Sequence, residues 1–140
     1  MTEFNPGVKV HLVRIGRAVW DVLAVKDERG FSVWDELTAA DPSDGAAIQM
    51  RATLKTSVPE NGPPRMNRTK CRSLGDDIYE FKEPGWRVLW FYDAGRTVVC
   101  THSCPKVKKK EFQSEIERAS RIRKRYFAAK SAEELKVDQP

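Results

Sequence analysis

The stretch that most constrains the fold is IYEFKEPGWRVLWFYDAGRTVVCTHS, residues 78–103. Three runs rich in β-branched and aromatic residues are separated there by two very short turns. Pro84-Gly85 supplies the central pair of a type II turn, with Pro fixing φ at the first position and Gly accepting a positive φ at the second. Asp93-Ala94-Gly95-Arg96 reads as a second tight turn. Consecutive strands joined this closely pair antiparallel, so residues 78–82, 86–92 and 97–103 form a meander.

The rest of the chain supplies what such a sheet needs for its faces. Val8–Ile15 reads as a short strand or ordered N-terminal arm, and Arg17–Val25 as the better first strand. Lys26–Gly30 is a turn. Ser32 stands three residues before Asp35, a capping-box spacing that opens a short helix ending before Pro42. A second helix starts near Ser43 or Asp44, with Ala47, Met50, Leu54 and Val58 on one face, and PENGPP at 59–64 ends it. From Glu111, residues Phe112, Ile116, Ala119, Arg123 and Tyr126 mark a further helix. The order is β-α-α-β-β-β-α, an α+β fold in which two N-terminal helices cover one face of an antiparallel sheet and a C-terminal helix follows. Residues 1–16 are an N-terminal arm or extra strand, 17–130 the folded domain, and 131–140 a flexible tail.

A length of 140 residues suits one domain, and 40% apolar with 9% aromatic residues is too much for disorder. No apolar run approaches the roughly 18 residues of a membrane span, and the first residues lack the pattern of a signal peptide. The expectation is a cytoplasmic protein with no membrane association. Three Cys without a CxxC, and two His, indicate neither a disulfide framework nor a zinc site, so no metal and no cofactor is expected. Charge is uneven. Residues 1–63 hold 7 Lys+Arg against 9 Asp+Glu, whereas 64–140 hold 18 against 11. Within 106–130 the count is 10 to 3. Such asymmetry points to a polyanionic partner or to a solvated basic helix.

The turns permit a register. With Pro84-Gly85 central, Glu83 faces Trp86 and Lys82 faces Arg87; with Ala94-Gly95 central, Arg87 faces His102. Cross-strand partners share a face, so Lys82, Arg87 and His102 form a row, continued by Glu80, Leu89 and Cys100 and then by Ile78, Phe91 and Val98. The opposite face, with Tyr79, Phe81, Val88, Trp90 and Val99, is apolar and takes the helices. Opposed like charges destabilise a sheet, and an anion such as a phosphate would relieve them. The chemistry that suits the row is RNA cleavage by the 2′-hydroxyl, which needs a base, an acid and cations for the phosphorane. His102 is the titratable group, Arg87 the bidentate fork and Lys82 the point charge. The plainer alternatives are ion pairs of Arg87 with Glu83 or Asp93 and of Lys82 with Glu80, and a slip of one residue would scatter the row. Lys106, Lys108, Lys109 and Lys110 extend the same positive field as RNA-binding residues. Trp86 and Tyr92 are either base-stacking or core residues, and His11 carries little functional weight.

The run from Lys70 to Tyr126 resembles the RelE/ParE toxin superfamily, and within it the HigB-like, phage-associated branch. The matching elements are Ser73-Leu74, Ile78 to Lys82, Trp86 to Phe91, Asp93 to Arg96, His102, the lysine-rich 106–110 and Glu115-Ile116-Glu117-Arg118-Ala119. The resemblance makes 17–130 a RelE-like toxin domain and implies a toxin of a toxin–antitoxin pair. Its activity would be that of a metal-independent endoribonuclease cutting mRNA, usually on the ribosome, with a small antitoxin of helix-turn-helix type as partner. Arg87 matches the strand arginine that contacts the scissile phosphate, and Lys82 a lysine acting as base or charge stabiliser. Glu80 stands where the RelE type has Lys, and Phe112 near where it has a catalytic Tyr. His102 is the substitute for that proton-transfer role. Two other functions fit the same fold: a gyrase-targeting inhibitor similar to ParE, and a non-catalytic basic adaptor that binds RNA or protein.

Overall fold

A computed structural model describes residues 9–105 and 109–139. The chain opens with an antiparallel hairpin, β1 (Val10–Arg17) and β2 (Asp21–Val25). Two helices follow, α1 (Val33–Thr38) and α2 (Gly45–Ala52), the second running through a π-helical turn (Thr53–Ser57) into α3 (Val58–Asn61). Then come β3 (Cys71–Gly75), β4 (Ile78–Glu83), β5 (Trp86–Asp93), β6 (Thr97–Cys104), α4 (Lys109–Ser131) and β7 (Leu135–Asp138).

Local chemistry accounts for the helix starts. Ser32 Oγ accepts from the Trp34 amide while the Asp35 carboxylate accepts from the Ser32 amide, so the capping box forms as its spacing predicts. Asp44 caps α2 by accepting from the Ala47 amide and also accepts from the Trp86 indole. Gly16 is required by packing: a Cβ there would meet the Lys55 carbonyl oxygen at 2.7 Å. Gly62 ends α3 at φ 80° with its Cα against the Trp20 ring, so both its backbone and its lack of a side chain are used.

The expected α+β class holds, but the small antiparallel sheet does not. The sheet has seven strands in the order β3-β4-β5-β6-β2-β1-β7 and is mixed, because β2 runs parallel to β6 and β7 parallel to β1. Residues 10–17 form an inner strand between β2 and β7 rather than an arm. The tail from 131 contains β7, held by the Lys26–Asp138 ion pair at 2.8 Å.

The sheet is the middle of three layers. Val33, Leu37, Met50, Leu54 and Val58 pack on Phe81, Val88, Trp90, Val98 and Cys100. On the other face Ile116, Ala119 and Tyr126 of α4 pack on Ile78, Leu89, Phe91, Val99 and Cys104. Val98, Val99 and Cys100 thus lie on the faces opposite to those expected. The β5–β6 loop has three residues, since Asp93 pairs with Thr97 and Arg96 takes φ 59°. That extra residue reverses the faces of everything immediately after it.

Candidate functional site

The Pro84-Gly85 turn fixes the first half of the site as predicted: Glu83 pairs with Trp86 and Lys82 with Arg87. The second half is corrected. Arg87 faces Cys104 and Leu89 faces His102. The longer loop shifts the register by one, and a bulge between the Leu89 and Trp90 pairs, at Thr101, shifts it by one more. Two shifts return His102 to the face of Arg87, but two pairs further from the β4–β5 turn.

Lys82 and Arg87 therefore stand side by side without His102, and a cation not anticipated from the sequence joins them. Arg72 on β3 faces Glu80 on β4. Glu80 is fully buried, with Oε1 3.4 Å from Arg72 Nε and 3.6 Å from Arg87 Nε. Neither carboxylate oxygen has a hydrogen-bond partner among the described residues. Burial pushes its carboxyl above the usual range, and Arg72, Arg87 and Lys82 pull the other way. The repulsion between Lys82 and Arg87 thus has an internal counter-charge. Arg87 Nη1 donates to the Glu83 and Trp86 carbonyls at 3.0 and 2.9 Å, which anchors one edge of the fork. Lys82 is half-buried and makes no ion pair among the described residues.

His102 sits deeper, 6% exposed under α4. Its Nδ1 lies 3.0 Å from Thr101 Oγ1 and its Nε2 3.6 Å from Glu115 Oε2. Burial, reinforced by Arg118, pushes its pKa down to about 4, outweighing Glu115, so the ring is neutral at pH 7. Cys104, beside Arg87, is pushed up to about 12 by burial and Glu115 and is an inert thiol. Lys109 and Lys110 open α4, with Lys110 exposed, while Lys106 and Lys108 lie outside the described residues. Further along α4, Arg118, Arg121, Lys124 and Arg125 are exposed and make no ion pair among the described residues.

The remaining candidates serve packing. The Trp86 indole is tied to Asp44, and Tyr92 stacks edge-on against Tyr79 and Trp90. His11 is exposed on β1 opposite Lys136. Among the described residues no cluster of three or more His, Cys, Asp or Glu is placed to hold a metal ion, and no helix is long and apolar enough to cross a membrane.

Fold and site define a three-layer α+β protein whose central sheet carries a compact cationic cluster at one end. Residues 35–124, well over half of the chain, match the model of the family described as phage derived protein Gp49-like (DUF891). The chain belongs to that family of phage-derived, RelE-like and toxin-like proteins. The match runs from α1 into α4 and takes in Arg72, Glu80, Lys82, Arg87 and His102, while β1, β2 and β7 lie outside it. No curated protein matches the chain.

Proposed function

We propose that this protein is the toxin of a toxin–antitoxin pair, of the HigB-like branch, and that it cuts mRNA on the ribosome as a metal-independent endoribonuclease. The observation that carries the reading is the Lys82–Arg87 cross-strand pair, with Arg72 beside it across Glu80, in a Gp49-like chain. Attack of a 2′-hydroxyl on the adjacent phosphate places extra negative charge on the phosphorane oxygens, and pre-placed cations stabilise that charge more than the ground state. Arg87, with one edge anchored on backbone carbonyls and its Nε beside Glu80, is the fork for those oxygens. Lys82 serves as base in its free-amine form or as charge stabiliser in its ammonium form, because buried His102 has no access to a phosphate held at this pair. The expected partners are mRNA, the ribosome and a small helix-turn-helix antitoxin, in the cytoplasm.

A second reading, a non-catalytic RNA-binding adaptor, is favoured by that same burial of His102. Inducible expression in a bacterial host separates the two. Wild type should arrest growth with new mRNA 5′ ends, and Arg87→Ala and Lys82→Ala should each lower cutting by about 10²-fold while the proteins stay soluble. Arrest with intact mRNA and DNA breaks moves the assignment to a gyrase inhibitor. Soluble wild-type protein without arrest leaves the adaptor.

A further inference from the structure

Beyond β4, on the side facing the N-terminal helices, lies a cavity of about 320 Å³ that the reaction above does not use. That volume falls in the range of small-ligand sites. One wall is a row of uncharged side chains at four-residue spacing: Gln49, Thr53, Ser57 and Asn61. In a regular α-helix a row at i, i+4 drifts about 40° around the axis at each step, or about 120° from first to last. The π-helical turn Thr53–Ser57 lies in the middle of the row, and its wider coil holds back that drift. All four residues consequently line one cavity. The side chains of Gln49, Ser57 and Asn61 make no hydrogen bond among the described residues, while Thr53 Oγ1 donates to the Gln49 carbonyl.

Phe81, Pro63-Pro64 and Met50 supply apolar lining. Among the described residues the only amine on the wall besides Lys82 is Lys70, which is neutralised by Glu83 at 2.9 Å to each oxygen. Apart from Lys82, an anion has no free charge to meet in that lining. A flat, uncharged, hydrogen-bonding ring fits it: amides offer both donors and acceptors to a base edge, and an apolar wall receives the ring face. Lys82 lines the cavity, and its cross-strand partner Arg87 lies with Glu80 on the α4 side of the sheet, so a nucleotide joining the two sites would pass round the sheet edge at Lys82 and Glu83.

We infer that this cavity is a base-reading subsite, which takes the nucleobase of the nucleotide adjoining the phosphate held at Lys82 and Arg87. The assignment of the ligand as a ribonucleotide rests on the proposed nuclease reading; the neutral, ring-shaped character of the site rests on the cavity itself. The π-turn is then a device for aligning Gln49 and Asn61 with one base edge.

Titration of the four ribonucleoside 3′-monophosphates into the purified full chain tests this, with the side-chain amide resonances of Gln49 and Asn61 as readout. One base should shift those amides at far lower concentration than the others, ribose 5-phosphate should not, and Gln49→Ala/Asn61→Ala should weaken binding about tenfold for the loss of two hydrogen bonds. No shift at either amide with any nucleotide, or equal shifts with ribose 5-phosphate, overturns the inference. Mapping of mRNA 5′ ends keeps the two readings apart. Nucleotides seated in the cavity of a protein that cuts no mRNA would keep the subsite and remove the nuclease. Cutting whose base preference is unchanged in the double variant would keep the nuclease and remove the subsite.

Discussion

Glu80 on β4 and His102 on β6 face the same layer from either side of Leu89 on β5, and burial acts on them in opposite senses. Glu80 is surrounded by Arg72, Arg87 and Lys82, so its charge is compensated where it stands, and it fixes where those cations can lie. His102 lacks such support, because burial and Arg118 outweigh Glu115 at 3.6 Å. The consequence is a pH dependence of stability. The folded pKa of His102 is about 4 against 6.5 for a free ring, so between these values the unfolded chain binds the proton and the folded one does not. Stability contributed by the neutral ring is therefore complete above about pH 6.5 and is lost as pH falls toward 4, by up to about 3 kcal/mol. Glu80, with its raised carboxyl, works in the opposite direction as the pH falls. The difference between wild type and His102→Gln isolates the histidine. Chemical denaturation from pH 7 to 4.5 should show wild type losing stability more steeply than the variant, and parallel profiles would refute the neutral buried ring.

Among the elements, those with local causes were legible. The capping box at Ser32–Asp35, the Asp44 cap and the Lys82–Arg87 register each follow from a few adjacent residues. The β5–β6 register was not, because Arg96 adopts a positive φ without being Gly and Thr101 bulges inside an ordinary-looking β run. Strand β7 was missed for a different reason. LKVD is four residues long, half polar, and its partner β1 is more than a hundred residues away, so nothing local marks it. Its contribution is nonetheless physical. Leu135 and Val137 pack on the α4-side core, and β7 gives β1 a second paired edge. Truncation after Ser131 should cost roughly 2 kcal/mol from the reduced apolar burial and leave β1 as an exposed edge that favours self-association. Denaturation midpoints and light scattering check both. A truncated chain as stable and as monodisperse as the parent would make β7 a passive appendage.

Taken as one body, the molecule separates its charges. The acidic excess lies in residues 1–63, which supply β1, β2 and the helices on one face of the sheet, whereas α4 covers the other face with a basic outer surface. Arg118, Arg121, Lys124 and Arg125 make no ion pair among the described residues, so their field is not cancelled at short range. Such charges contribute to binding a polyanion chiefly by releasing its counterions, an effect that is independent of sequence and falls with salt. Arg87 differs, being 16% exposed and engaged by Glu80 and two carbonyls, so it contributes at one phosphate. The two roles are separable by measurement. Replacing Arg121, Lys124 and Arg125 together with Gln should reduce the slope of log K against log salt for single-stranded RNA by about 2, near 0.7 for each phosphate that is no longer neutralised. Arg87→Ala should lower cutting by far more than it changes that slope. An unchanged slope in the triple variant would mean that the outer face of α4 is solvated surface, and that RNA is held only at the end of the sheet.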